Sequence, residues 1–209
     1  LCGGTAHFQN TKEPALKINA VEFDELLSKL TYESLAPLRD AVPTALHDQI
    51  EAAQTQALST VEAVAEQTGQ TMGYLPTRDV DEWLRLGLLD TFVAWVQGDA
   101  TTCRHAPALT SPQPVWSCAW HPRLVVCGWC LPLLSAADEI ADATCERCGY
   151  VTTGVDAGDP IYTLTVVAGV LTYQAGTCTD CLPRWHQHAR TYLRPKVNRD
   201  KRRKKRRRP

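Results

Sequence analysis

"CGWCLPLLSAADEIADATCERCG", residues 127–149, carries two Cys-x-x-Cys pairs separated by fourteen residues. A two-residue gap lets a turn aim both sulfurs at one tetrahedral ion, and two such turns complete its coordination. Either these two pairs share one ion, or each closes a site with a partner elsewhere in the chain. The choice decides the architecture of the second half of the protein.

Working outward, the other ligand pairs are Cys178-x-x-Cys181, Cys118-x-x-His121 and Cys103-x-His105. Eight of the nine cysteines lie between 103 and 181. An odd cysteine count in a chain with no visible secretory signal favours metal over disulfides. Thiolate-rich donors select zinc, which they neutralise and which needs no redox partner.

Joining Cys127/Cys130 to Cys145/Cys148 gives a loop near the usual spacing. Joining Cys145/Cys148 to Cys178/Cys181 spans twenty-nine residues instead, and three features favour it. Gly149 follows Cys148 where a chain turning around a metal takes positive φ, which glycine adopts without strain. The segment between 148 and 178 reads as strands, at 150–155, 161–169 and 170–177, rich in Val, Ile, Thr and Tyr. The linker 131–144 has a helical signal of its own, with Ser135 as N-cap and acidic residues in its first turn. Eight helical residues there span about 12 Å, enough to separate two sites.

Cys127 and Cys130 then need upstream partners. Cys103 and His105 lie a comfortable twenty-one residues away, whereas Cys118 and His121 stand only five away and make a cramped knuckle. The reading takes Cys103, His105, Cys127 and Cys130 as one site and Cys145, Cys148, Cys178 and Cys181 as the other, with one zinc each. Two alternatives stay open: Cys118/His121 in place of Cys103/His105, and one ion shared by Cys127/Cys130 and Cys145/Cys148. Trp116, Trp120 and Trp129 are expected to roof the first site.

Residues 145–181 resemble a zinc ribbon: a knuckle with a trailing Gly, β-strands, and a second knuckle. The second, Cys178-Thr179-Asp180-Cys181-Leu182, lacks the trailing Gly. The Ala-, Thr-, Val-, Asp- and Arg-rich composition resembles that of small actinobacterial or phage-encoded zinc-binding proteins. The resemblance implies a zinc-stabilised fold. It leaves function open, since such ribbons serve nucleic-acid binding, transcription machinery and protein contacts alike.

The first hundred residues read as helices. One covers 19–30, with Val21, Phe23, Leu26, Leu27 and Leu30 as buried positions. Pro37 and Pro43 break the chain before a second at 44–69, capped by Thr44, stopped by Gly69, and carrying the stripe Leu46, Ile50, Ala53, Ala57, Val61 and Val64. A third covers 79–99, with Trp83, Leu84, Leu88, Phe92, Trp95 and Val96 as its large side chains. A short helix is expected at 183–193. The fold class is α+β: an N-terminal helical bundle over 1–100, a small zinc-stabilised, zinc-ribbon-like β-rich domain over 101–193, and a disordered basic tail over 194–209.

Charge is divided unevenly. Residues 194–209 hold eleven Lys/Arg and one Asp, while the remainder holds eleven Lys/Arg against twenty-two Asp/Glu. The tail cations Arg199, Lys201, Arg202, Arg203, Lys204, Lys205, Arg206, Arg207 and Arg208 are suited to phosphate, so DNA or RNA is the expected partner. No His-x-Glu, His-Glu-x-x-His, Gly-x-Ser-x-Gly or Gly-rich phosphate loop occurs, and four-ligand zinc has no open position for chemistry. The reading is a non-enzymatic, cytoplasmic zinc protein contacting nucleic acid through its tail, with no membrane span and no small-molecule substrate. The alternative is a protein–protein adaptor or phage structural component. The N-terminal helices offer a surface for a protein partner or a homodimer.

Overall fold

The computed structural model of the protein describes residues 17–70, 72–73 and 75–185. The basic stretch 194–209, and the helix expected at 183–193 beyond Trp185, lie outside the described residues.

Helix α1 (Ala20–Lys29) starts from a capping box. Asn19 accepts from the Glu22 amide, and the Glu22 carboxylate accepts from the Asn19 amide, both at 3.0 Å. Helix α2 (Tyr32–Ala41) starts the same way from Thr31 and Ser34. It runs through Pro37, which the sequence reading took as a break. The capping box satisfies the first-turn amides, so the helix forms despite the N–H that proline lacks. Helix α3 (Thr44–Thr68) ends at Gly69 as expected. Thr44 is inside the helix rather than its cap, and along the stripe Ala53 and Ala57 are buried while Ile50 and Val64 are exposed. Helix α4 (Glu82–Gln97) buries Leu84, Leu88 and Trp95, but Val96 is exposed.

The expected helical bundle is corrected by the core. Buried residues of α4 join those of a β-sheet: Leu84, Leu88 and Trp95, with Val80 just before the helix, pack with Val115, Val125, Leu164, Leu171, Tyr173 and Ala175. A buried Leu or Val contributes about 1.5–3 kcal/mol, so this shared face dominates the packing. Helix α1 lies against α4 through Phe23 and Phe92, stacked at 5.9 Å, and through Arg85, which makes two bonds to Asp24 at 2.9 and 3.0 Å. Val21 and Leu26 of α1 and Leu30 just after it, expected inside, are exposed because only the Phe23 side finds a partner.

The sheet has strands β1 (Thr101–Thr102), β2 (Val115–Cys118), β3 (His121–Cys127), β4 (Tyr162–Ala168) and β5 (Leu171–Thr177), in the order β1-β3-β2-β5-β4. Two antiparallel hairpins, β2–β3 and β4–β5, are joined by parallel pairing of β2 with β5, Val115 opposite Leu171 through Cys118 opposite Gln174. The sequence reading foresaw β4 and β5 but placed no strands between 101 and 127. It also expected a strand at 150–155, where the chain makes isolated bridges and a 3₁₀ turn at Val155–Ala157. Strand β3 bulges against β2, and Arg123 in the bulge has φ 59°, an uncommon conformation for a residue with a side chain. Its guanidinium grips Asp90 of α4 at 2.7 and 2.8 Å, tying helix to bulge.

Close approach of α4 to the sheet depends on Gly87. A Cβ there would meet the Tyr173 hydroxyl at 2.6 Å. Tyr173 is itself buried and cannot swing clear. Gly87→Leu is therefore expected to destabilise by about 1–3 kcal/mol, read as a lower thermal midpoint. Gly87→Ala should be less harmful in a Tyr173→Phe background than alone, since removing the hydroxyl opens that space.

Among the described residues, no helix is long and apolar enough to cross a membrane.

Candidate metal centres

Among the described residues, two groups of four side chains converge. Cys103, His105, Cys127 and Cys130 form one, and Cys145, Cys148, Cys178 and Cys181 the other. In each, the four ligand atoms all lie within 4.8 Å of one another.

The two are built alike. Cys103 directly follows β1, and Cys127 is the last residue of β3 and opens a 3₁₀ turn, Gly128–Leu134, that contains Cys130. In the second group, Cys145 follows the bridge residue Thr144, and Cys178 follows β5 and opens the 3₁₀ turn Thr179–Cys181. Cys127 and Cys178 have almost the same backbone, φ/ψ −77°/168° and −75°/169°. In both halves a ligand pair precedes a β-hairpin, and a Cys-x-x-Cys turn leaves the hairpin's last strand.

The distances suit a tetrahedral ion. Metal–sulfur bonds of about 2.3 Å and metal–nitrogen bonds of about 2.0–2.1 Å put sulfurs about 3.8 Å apart, and nitrogen and sulfur about 3.5 Å apart. The Sγ atoms of Cys148 and Cys178 are 3.9 Å apart, and His105 Nδ1 is 3.3 Å from Cys130 Sγ. These are edges of a ligand tetrahedron.

Backbone amides support the sulfurs. The Cys127 amide donates to Cys103 Sγ at 3.3 Å. Burial pushes the Cys103 thiol up, but the amides of Cys127 and His105 outweigh it and leave it lowered. Burial likewise opposes ionisation of Cys145, and the amides of Cys178, Cys148 and Arg147 overcome it, bringing the thiol down to about 6. Three other sulfurs are driven the opposite way, Cys178 among them, raised by burial first. Cys130 is pushed up to about 11 by burial first and then by Cys103 and Cys127, and Cys181 is pushed up for the same kind of reason. Thiolates gathered this closely would repel one another, and a cation among them would relieve that.

Gly149 has φ 74°, and its amide closes the first knuckle on the Cys145 carbonyl at 2.8 Å, the role its position suggested. The linker helix is shorter than expected. Helix α5 covers only Glu139–Asp142, capped by Asp138 rather than Ser135, and the residues before it form the 3₁₀ turn.

Cys118 and His121 stand outside both groups. Cys118 is fully buried in a small cluster with Val126 and Leu134, and burial pushes its thiol up to about 12. His121 Nε2 donates to the Ser135 carbonyl at 2.8 Å, and Trp120 Nε1 to that of Leu134 at 2.6 Å. Together they clasp the end of the 3₁₀ turn to the β2–β3 hairpin. Trp116 and Trp120 pack on that cluster beside Cys103 and Cys130. Trp129 does not: it is 93% exposed, which corrects its expected place in the roof. Residues 186–209, with His186, His188 and the tail cations, lie outside the described residues.

No family model, no curated protein and no solved structure matches the chain.

Proposed function

We propose that this is a non-enzymatic zinc-binding protein whose two structural ions shape a rigid platform, and which contacts nucleic acid through its basic C-terminal segment. The observation that carries the metal reading is the pair of four-ligand groups, each gathered within 4.8 Å. Cys₃His and Cys₄ donor sets suit zinc by softness and by geometry. Cys103, His105, Cys127 and Cys130 would hold one ion, and Cys145, Cys148, Cys178 and Cys181 the other. A bound zinc supplies cross-linking there, because four protein ligands leave no position for water or substrate.

The nucleic-acid reading rests on charge. Eleven Lys/Arg within 194–209 oppose an otherwise acidic chain. Within the helices, residues 17–99 carry fourteen Asp/Glu against five Lys/Arg, so phosphate is repelled there and drawn to the tail. The test is binding of the full chain and of a chain lacking 196–209 to DNA and RNA across a salt series. Binding that is indifferent to the deletion would remove the tail from this role.

A further inference from the structure

Trp129 is the most exposed of the large apolar side chains among the described residues, at 93%. Its backbone accounts for the direction but not for the residue. Cys127 and Cys130 both turn inward to the ligand group, so the two residues between them must face away from it. Gly128 is pressed against the Trp116 ring, where a Cβ would stand 3.3 Å from it. Position 129 is left pointing into water. The corresponding positions of the other knuckles hold Arg147 and Asp180, both exposed and both at ease there. A polar residue would serve the turn equally well at 129. An indole there is a large planar surface, held out on a short turn with no packing to do.

Its neighbourhood lacks the carboxylates that would repel a phosphate backbone. From Ala100 to Ala137 there is no Asp or Glu, and there are two arginines. Arg123 is engaged with Asp90, but Arg104, between the ligands Cys103 and His105, is exposed on the loop that shares the metal group with the Trp129 turn. A dication among three thiolates leaves about one negative charge at this site, so local attraction is modest. Stacking, rather than charge, is then what this surface offers. Leu131 and Leu133, both exposed, extend the apolar face along the same turn.

We infer that Trp129 is a stacking platform for an unpaired base of a single-stranded nucleic acid, with Arg104 beside it for the adjoining phosphate. Every base has a π-face, so such a contact is tolerant of sequence, and it is denied to a duplex whose bases are already stacked. The inference rests on the nucleic-acid reading above and deepens it. The tail supplies affinity for any strand, and Trp129 distinguishes single strands from double.

The experiment is fluorescence anisotropy with a labelled oligothymidine and a duplex of the same length. It compares the full zinc-loaded chain with Trp129→Ala and Trp129→Phe. The alanine variant is expected to lose roughly ten-fold in affinity for the single strand and less than about two-fold for the duplex, with an unchanged salt slope. The phenylalanine variant should keep most of the affinity. Zinc content equal to that of the parent shows that the turn is intact. Unchanged single-strand binding by Trp129→Ala, or an equal loss on both strands, overturns the inference while leaving the tail reading in place. A change of oligomeric state on Trp129→Ala, without a selective loss, overturns it in favour of a second copy or a protein partner. A parent chain that binds neither strand removes the nucleic-acid reading and this inference together.

Discussion

Cys145→Ser and Cys178→Ser should each lose one of two bound zinc ions, and the double variant should still retain one. Cys127→Ser should lose the other ion, and Cys127→Ser combined with Cys145→Ser should hold none. Elemental analysis of the purified chain reads these counts directly. The reason is geometric: Cys145 and Cys178 belong to one group of ligand atoms and Cys127 to another. A Cys145/Cys178 double variant with no zinc would mean that the two cysteines serve different ions and would sink the assignment. Cys118→Ala is the control. It should keep both ions, since Cys118 lies buried outside both groups.

The effect on stability should be large and unequal. Structural zinc contributes about 10–16 kcal/mol of apparent binding free energy in zinc-finger peptides, much of it expressed as folding. Beside the first group, the buried cluster among the described residues consists of Cys118, Val126 and Leu134. So small a core cannot hold the Cys103 loop and the Gly128–Leu134 turn without an ion. The α4 face of the sheet has eleven buried residues and is far less dependent on metal. A strong chelator is therefore expected to expose the amides of 103–114, 128–135 and 144–159 to hydrogen exchange while α4 and strands β2, β3, β4 and β5 stay protected. Uniform protection after complete metal removal would contradict this.

Removal of 196–209 is expected to reduce nucleic-acid affinity by about a thousand-fold at low salt and to flatten its salt dependence. Ten of the eleven tail cations go with that segment. Each phosphate neutralised releases condensed counterions, giving a log–log slope of about −0.9 per contact on duplex and about −0.7 on single strands. With six to ten contacts, the intact chain should lose about 10³–10⁵ in affinity between roughly 50 and 200 mM salt. The truncated chain retains its acidic helices and little to offset them, so its residual binding should be weak and shallow in salt. A truncated chain with the parent's slope would place the phosphate contacts elsewhere.

How far the fold was legible in the sequence depended on the range of the interaction. Gly149 could be assigned its positive φ because a metal knuckle is a local turn with one geometry. Helix α3 announced itself through apolar spacing and a terminal glycine, α4 through its large apolar side chains, and β4–β5 through residues rich in Val, Ile, Thr and Tyr. The β2–β3 hairpin did not. Its residues, "VWSCAWHPRLVVC", contain a Cys-x-x-His pair and a proline, and the pair stands as an alternative ligand pair, with no strand expected there. In the fold, Cys118 and His121 flank the tight Ala119–Trp120 turn and serve packing and a carbonyl bond instead. Helix α2 was hidden by Pro37, although Thr31 and Ser34 carried its starting signal.

Sequence alone determined the ligand types, their pairing into turns and the separation of a basic tail from an acidic chain, because these are set by neighbours a few residues apart. Only the tertiary structure decided that α4 belongs to the sheet, that β2 pairs with β5 across more than fifty residues, and that Trp129 faces water. Those outcomes turn on which apolar faces meet when the chain closes, and spacing along the chain does not encode that competition. A ligand pair records its own turn, whereas an indole on that turn is buried or exposed according to what the remainder of the fold brings over it.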